Sequence, residues 1–175
     1  NAQSRLIAAT IGGVRVLSAY FPNGEEVGSA KYAYKLEFLR ELRAFLDGRH
    51  RPGEPVLLCG DFNVAPEPAD LHNPEEREGR ILFSEPERAA LRHVRDFGFT
   101  DLFRRFHPEG GRYSWWDYRE GMYWKGLGMR LDHMWATAPL AARALDCDID
   151  ERPRRWTRPS DHAPVWAEFR MEDQP

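Results

Sequence analysis

Residues 55–63 have the sequence Pro-Val-Leu-Leu-Cys-Gly-Asp-Phe-Asn, which sets an acid and an amide directly after an apolar run. A short run of Val and Leu that ends at a glycine indicates a buried strand, so the chain should leave a sheet at Asp61. Alternate residues of extended backbone point to one side, which places Asp61 and Asn63 in the same space. In α/β proteins, ligands bind beyond such strand ends. An acid and a hydrogen-bonding amide are suited to attack on a phosphate.

The length and composition favour one packed domain, which we expect to span residues 1–175. Hydrophobic residues make up 42% of the chain and aromatic residues 13%, which is typical of a globular protein and not of a disordered one. No apolar run approaches the ~18 residues that a membrane span needs. Cys59 and Cys147 lie far apart, and we expect both to be reduced, as in cytoplasmic proteins.

The charge pattern does not exclude a nucleic-acid binder, because binding depends on a local patch more than on the net charge of −3. All but three of the 25 basic residues are arginine, which makes bidentate contacts with phosphate, although a GC-rich genome explains most of this bias. One cluster is local and holds Arg152, Arg154, Arg155 and Arg158 around Trp156. It is either a solvated charged loop or a loop that follows a phosphate backbone.

Apolar periodicity and turn residues predict alternating strands and helices, and therefore an α/β fold. The expected strands cover residues 5–10, 13–21, 55–59, 113–116, 129–136, 142–150 and 163–170, and the expected helices cover 29–47, 86–97 and, as a short helix or turn, 101–106. Gly12-Gly13 indicates a hairpin between the first two strands. Ser84 and Glu87 have the spacing of a capping box. The loop up to about residue 83 is long enough to be functional.

Four segments occur in a specific order along the chain. They are Ala19-Tyr20-Phe21-Pro22-Asn23-Gly24; Gly60-Asp61-Phe62-Asn63; Asp101-Leu102-Phe103-Arg104-Arg105 with Tyr113-Ser114-Trp115-Trp116; and Gly128-Met129-Arg130-Leu131-Asp132-His133 with Ser160-Asp161-His162. Together they resemble the exonuclease III family of AP endonucleases, within the endonuclease/exonuclease/phosphatase fold, over almost the whole chain. The resemblance implies a two-sheet α/β sandwich of the deoxyribonuclease I-like type.

The resemblance also exposes a gap. Members of that family begin upstream, with a strand that bears an Asn and another that bears a metal-binding Glu, and nothing here matches these strands. We therefore expect an N-terminally incomplete fold, the C-terminal majority of an enzyme. Its first strands should be the remainder of the first sheet, and residues 55 onward should form most of the second. Whether this chain is active by itself stays open.

The resemblance implies catalytic roles for residues near both ends of the chain. Asp61 would orient or deprotonate the attacking water, and Asn63 would hold that water or a phosphate oxygen. His162 would contact the phosphate while Asp132 holds its ring, because an Asp–His pair favours the imidazolium. Tyr20 would donate its hydroxyl to the phosphate.

The resemblance also implies a metal site, with Asp161 binding Mg²⁺ and with Asp61 and Asn63 as further ligands. Mn²⁺ is an alternative ion. Mg²⁺ prefers carboxylate oxygens and keeps several waters, so few protein ligands are needed.

Each of these residues has a structural alternative. Asp61 also suits a turn after Gly60, and His162 also suits a core hydrogen bond at a strand start. Asp132 and Arg130 lie on the same side of a strand, and the alternative for Asp132 is a simple ion pair with Arg130. An aromatic residue at a strand end, such as Tyr20, is usually a packing residue.

A small apolar pocket for a base-less sugar is implied at Trp115, Met129 and Leu131, with Arg130 among the substrate-binding residues. Such a pocket excludes a normal nucleotide by size. The alternative is that Trp115 and Trp116 are core aromatic residues. Residues 118–125 are expected to contact DNA by stacking and charge, while Gly126 replaces an Asn that the family usually has there.

The function that these residues imply is that of a Mg²⁺-dependent DNA repair nuclease. It would cut 5′ to abasic sites and act 3′ to 5′ on duplex ends, as a cytoplasmic monomer. One alternative is a phosphatase or phosphodiesterase of the same fold that acts on a small or lipid phosphate ester. Another is a non-catalytic fragment that binds DNA.

Overall fold

The computed structural model describes residues 4–171, which form two β-sheets with helices around them. The strands are β1 Leu6–Ile11, β2 Val14–Ala19, β3 Val56–Asp61, β4 Phe99–Asp101, β5 Asp132–Thr137, β6 Ala144–Ile149 and β7 Val165–Phe169. The helices are α1 Ala30–Arg49, α2 Pro74–Arg77, α3 Glu85–Arg95, α4 Leu102–Phe106, α5 Met122–Lys125 and α6 Ala138–Ala141. Short 3₁₀ turns cover Pro68–Asp70, Arg119–Gly121 and Arg152–Arg155.

The larger sheet has the strand order β1-β2-β3-β5-β4, and the smaller one pairs β6 with β7. Only β2 and β3 pair in parallel among these neighbours, and α1 makes the crossover that a parallel pair needs. The prediction of an α/β sandwich is confirmed. The expected division between the sheets is wrong, because β1 and β2 lie in the same sheet as β3.

Both faces of the larger sheet are buried, as the residues of β3 show. Leu58 packs in a cluster with α1 and α3, whereas its neighbour Leu57 packs in a cluster with β6 and β7. The alternation of a strand sends adjacent side chains to opposite faces, so β3 is apolar on both. Phe62 continues the first cluster beyond the strand, stacked 4.4 Å from Phe21 and edge-on 5.0 Å from Trp135. This packing fixes the strand end from which Asp61 projects.

Local sequence signals explain how several elements begin. The β1–β2 hairpin turns at Gly12 and Gly13, whose positive φ values of 53° and 79° favour glycine. Ser29 caps α1 by accepting a hydrogen bond from the Tyr32 amide at 3.1 Å. The capping box that the sequence predicts is present at the start of α3.

Other elements differ from the sequence-based expectations. Residues 113–116 do not form a strand, because Trp115 makes only isolated bridges to Met129 and to His162. The following strand accordingly begins at Asp132 instead of Met129. Strand β4 and helix α6 were not expected, since each is too short to show a periodic pattern.

Strand β1 forms one edge of the larger sheet and is largely exposed to solvent. Ile7 and Ile11 are 74% and 63% exposed. Over residues 4–171, no helix has the length and apolar character to cross a membrane.

Candidate active site

Asp61 is the last residue of β3, and the backbone around it is held in an unusual shape. Gly60 has a φ of 126°, and a Cβ there would lie 2.1 Å from the carbonyl oxygen of Ala19. Asn63 also has a positive φ, of 49°. In this conformation Asn63 donates to Asp61 twice, from its backbone N–H at 2.9 Å and from its side-chain amide at 2.7 Å. The turn therefore binds the acid and the amide to each other.

The position of Asn63 is fixed further by buried neighbours. Its amide nitrogen also donates to the Phe21 carbonyl at 3.1 Å, and its amide oxygen accepts from Asn23 at 3.1 Å. Lys35 of α1 is fully buried, donates to the Asn63 carbonyl at 2.6 Å and pairs with the buried carboxylate of Glu87. Burial lowers the pKa of Lys35, while the charge of Glu87 opposes that change. Lys35 thus stabilises the turn through its hydrogen bond to the Asn63 carbonyl. This role was not identified from the sequence.

Asp132 begins β5, directly opposite Asp61 of β3 in the antiparallel pairing. Its carboxylate lies 2.8 Å from Nδ1 of His162, so the structure does not form the alternative ion pair between Asp132 and Arg130. Its backbone N–H donates to the hydroxyl of Ser114 at 2.9 Å. The elements β3 and β5 thus bring residues from distant parts of the chain into one group.

The electrostatics of this group depend on burial and on the close acids. Burial, with the charge of Asp132 second, raises the pKa of Asp61 to about 6. For His162, burial acts to lower the pKa, but the hydrogen bond to Asp132 and the charges of the nearby acids outweigh it and raise the pKa. Ligand atoms of Asp61, Asp132 and His162 all lie within 4.8 Å of one another, which is close enough to hold a metal ion.

Asp161, the expected metal ligand, is not one of the residues in that group. Its carboxylate accepts a hydrogen bond from the indole nitrogen of Trp115 at 3.0 Å. Asp161 therefore orients Trp115 in this structure, and its role as a metal ligand stays a prediction.

Tyr20 lies beside Asp61 in an open cleft of about 480 Å³. Its side chain is 55% exposed, so Tyr20 is not buried in the core. The guanidinium of Arg5 lies 5.1 Å from the centre of its ring.

Arg130 does not reach the surface, which corrects its assignment as a substrate-binding residue. Its side chain has no exposed surface and pairs with Asp70 and with Asp101, each at 2.7 Å. It also lies 3.0 Å from Nδ1 of His133. Burial acts to raise the pKa of Asp101, but the charge of Arg130 outweighs it and holds that pKa well below its usual range. This buried arginine therefore links the Pro68–Asp70 turn to the end of β4.

The three residues expected to form the abasic-sugar pocket lie side by side in one apolar cluster. Met129 and Leu131 are 1% and 2% exposed, whereas Trp115 is only partly buried. Trp115 is therefore the member of this set with surface to offer a ligand.

A larger cleft of about 500 Å³ is lined by Asp132 and His162. Trp156, Pro159 and Cys59 also line it. The sequence did not predict this cleft, because its walls come from β3, β5 and the segment before β7.

Comparisons with known proteins agree with this geometry. Residues 4–162 match the Endonuclease/Exonuclease/phosphatase family. The Exodeoxyribonuclease III of Haemophilus influenzae is 35% identical over 97% of this chain and 68% of its own length. The exodeoxyribonuclease of Bacillus subtilis is 32% identical over 93% of this chain and 63% of its own length.

Comparison with solved structures also finds similar proteins that act on DNA. A Neisseria 3′ phosphatase, NExo, bound to a product DNA hairpin has a TM-score of 0.92 and 42% identity, over 97% of this chain and 66% of that one. An AP endonuclease from Archaeoglobus fulgidus has a TM-score of 0.90 and 41% identity, over 94% of this chain and 65% of that one. The chain thus spans about two thirds of the length of these relatives. It belongs to the endonuclease/exonuclease/phosphatase family, in which it is similar to exonuclease III and AP endonuclease members.

Proposed function

We propose that this chain carries the catalytic centre of a Mg²⁺-dependent DNA repair nuclease. The nuclease would cut 5′ to abasic sites and act 3′ to 5′ on the ends of duplex DNA. The observation that carries the proposal is the meeting of Asp61, Asn63, Asp132 and His162 at the ends of two paired strands. The similarity to an exodeoxyribonuclease III and to an AP endonuclease supports DNA as the substrate.

The residues present fit a divalent cation. Asp61 and Asp132 bring two carboxylates within 4.8 Å of each other, and carboxylate oxygens are ligands that Mg²⁺ and Mn²⁺ prefer. Asp161 and Asn63 stay proposed as further ligands. When bound, the ion would lower the pKa of a water and offset the charge of the phosphate.

Asp61 would act as the base. Without a bound cation, burial raises its pKa to about 6, and such a carboxylate accepts a proton from a water near neutral pH more readily than an ordinary one. Asn63 would keep the carboxylate in place, since its amide nitrogen donates to Asp61 and to the Phe21 carbonyl.

His162 would stabilise the phosphate. Asp132 binds Nδ1, which leaves Nε2 as the ring nitrogen to donate a hydrogen bond to a phosphate oxygen. The raised pKa favours the imidazolium, which suits contact with a developing negative charge. Tyr20, exposed in the cleft beside Asp61, would donate its hydroxyl to the same phosphate.

Substrate choice would come from Trp115, Met129 and Leu131, as a surface against which a base-less sugar packs. We also propose that the protein acts as a monomer in the cytoplasm. Free Cys59 and Cys147 fit a reducing compartment.

The test is cleavage of a labelled duplex that contains one abasic site, with Mg²⁺ and with EDTA. An intact duplex of the same sequence is the control for site specificity. We expect an EDTA-sensitive nick 5′ to the abasic site, and a loss of rate of about 10²- to 10⁴-fold in Asp61→Asn and in His162→Gln.

An inositol phosphate, assayed in parallel, tests the alternative of a phosphatase for small or lipid esters. Release of phosphate from it without cleavage of the abasic duplex would replace the nuclease proposal. The absence of metal-dependent turnover on both substrates would favour a protein that only binds DNA.

A further inference from the structure

A third concave site, which we call the aromatic pocket, lies near the candidate active site. It has a volume of about 230 Å³, and its walls include Tyr118, Tyr123, Trp124, Arg154, Arg155 and Trp156. Trp124 is 75% exposed and Trp156 is 68% exposed, which is unusual for the largest apolar side chain. Two short helical turns, α5 and Arg152–Arg155, hold these rings at the surface.

Arg154 gives this pocket an unusual electrostatic character. The residue is only 4% exposed, and its Nε and Nη1 atoms have no hydrogen-bond partner. Its guanidinium lies between aromatic rings, 5.7 Å from Trp116, 5.7 Å from Tyr118 and 5.0 Å from Tyr123. Contact with the ring faces offsets part of the cost of burying a charge, but hydrogen bonds would normally satisfy the rest.

The acids near the pocket do not supply that partner. Within residues 4–171, no carboxylate lies at ion-pair distance from Arg154. Asp117 lines the pocket, but it accepts a hydrogen bond from Nε of Arg119 at 3.0 Å. The next arginine, Arg155, donates to the hydroxyl of Tyr123 at 3.4 Å. The wall of the pocket is therefore positive as well as aromatic, and an anion with a planar apolar part would complement it.

The aromatic pocket is also continuous with the candidate active site. The Tyr118 hydroxyl donates to the carbonyl of Pro159 at 2.7 Å, next to the Ser160–His162 segment. Trp156 and Pro159 line both this pocket and the larger cleft that contains Asp132 and His162. A chain-like ligand with one phosphate near His162 can therefore extend into the pocket.

We propose that the aromatic pocket binds an unpaired nucleotide of a DNA strand, with its base stacked on the exposed tryptophans and its phosphate near Arg154. This inference rests on the proposed function, because it assigns a strand-binding site next to the proposed nuclease centre. A nucleotide unites the two properties of the pocket, since every base has a planar face and every linkage an anion. A base inside a duplex is stacked on its neighbours and does not offer that face.

The test is the binding of a labelled oligothymidylate and of a fully paired duplex of equal length, measured by fluorescence anisotropy in EDTA. The variants are Trp156→Ala, Trp124→Ala and Arg154→Gln. Matched controls are Trp166→Ala, on β7 outside the pocket, and Arg40→Gln, whose exposed guanidinium on α1 pairs with Glu37. We expect each pocket variant to weaken binding of the oligothymidylate by about 5- to 100-fold, and duplex binding by much less. The control variants should stay within about twofold of wild type on both.

Wild-type affinity of Trp156→Ala and Trp124→Ala for the oligothymidylate would overturn the inference, and both exposed side chains can be removed even if Arg154→Gln does not fold. Equal losses on paired and unpaired DNA would also overturn it, because the pocket would then sense charge alone. The abasic duplex assay on the same preparations separates the two proposals. Binding through the pocket without metal-dependent cleavage would contradict the nuclease and leave the pocket standing. Metal-dependent cleavage of the abasic duplex, together with wild-type binding of the oligothymidylate by the pocket variants, would support the nuclease and contradict the pocket.

Discussion

Lys35 shows how one residue far from the chemistry can determine the shape of the site. Its ammonium group is fully buried, pairs with Glu87 and donates to the carbonyls of Asn63 and Asn23 at 2.6 and 3.0 Å. The turn at Asn63, with its positive φ, therefore depends on a charge that α1 supplies. From the sequence, Lys35 is only one position of an amphipathic helix, and its partners are too distant in the chain to be recognised.

We expect Lys35→Met to lower the free energy of unfolding by about 3–5 kcal/mol, because it leaves the carboxylate of Glu87 buried without a partner. The double variant Lys35→Met/Glu87→Leu should be less destabilised than the single one. Urea denaturation followed by circular dichroism measures both. Lys31→Met is the matched control, since Lys31 is an exposed lysine of the same helix. Similar losses in Lys31→Met and Lys35→Met would contradict the role of the buried pair.

Asp101 gives a prediction for the pH dependence of stability. Its pKa is held well below that of an unfolded Asp, about 3.9, so its contribution is complete above that pH and declines as the pH falls toward the folded pKa. Asp101→Asn should therefore be less stable than wild type at pH 7, and the difference should shrink below about pH 4. Urea midpoints from pH 3 to pH 7 measure it. A difference that stays constant over this range would exclude the charge of Asp101 as the cause.

At the scale of elements, the sequence predicts much of the fold because its signals are local. The strand that begins at Val56, helix α1 and the capped start of α3 all follow from periodicity and capping residues. The position of β1 and β2 in one sheet with β3 does not follow, since the hydrogen bonds between β2 and β3 join residues that are far apart in the chain. Likewise, the Asp132–His162 pair was expected from a resemblance, whereas the burial of Arg130 depends on Asp70, which has no motif of its own.

The β2–β3 pairing should depend on Gly60. A Cβ at this position would lie 2.1 Å from the Ala19 carbonyl oxygen, and the φ of 126° is strained for any other residue. We expect Gly60→Ala to destabilise the protein by more than about 2 kcal/mol, as measured by urea denaturation. Gly53→Ala is the control, because nothing lies within 4 Å of the added Cβ and its φ is not in the left-handed region. If Gly60→Ala were as stable as Gly53→Ala, the close contact between Gly60 and the Ala19 carbonyl would not be needed for stability.

At the scale of the whole molecule, β3 and β5 contribute side chains to clusters on both faces of the larger sheet. Leu58 and Trp135 belong to the cluster under α1 and α3, and Leu57 and Ala136 belong to the cluster that faces β6 and β7. Because the same strands contribute to both clusters, we expect neither cluster to stay folded when the other unfolds. We propose on this ground that residues 1–175 form a single domain.

A single domain predicts one cooperative unfolding transition. Far-ultraviolet circular dichroism and tryptophan fluorescence should give the same midpoint in urea, since backbone and core would unfold together. Midpoints that differ beyond experimental error would indicate two units that unfold independently.

The buried position of Arg130 has a consequence for the evolution of this protein. Its guanidinium pairs with both Asp70 and Asp101, and Asp70 also pairs with Arg104. Replacing Arg130 alone therefore leaves the carboxylate of Asp101 in the interior without its arginine, and selection should act against that single change. Among homologues, Arg130 and Asp101 should either both be retained or both be replaced. Covariation in an alignment would measure this, and independent variation of Arg130 and Asp101 would contradict it.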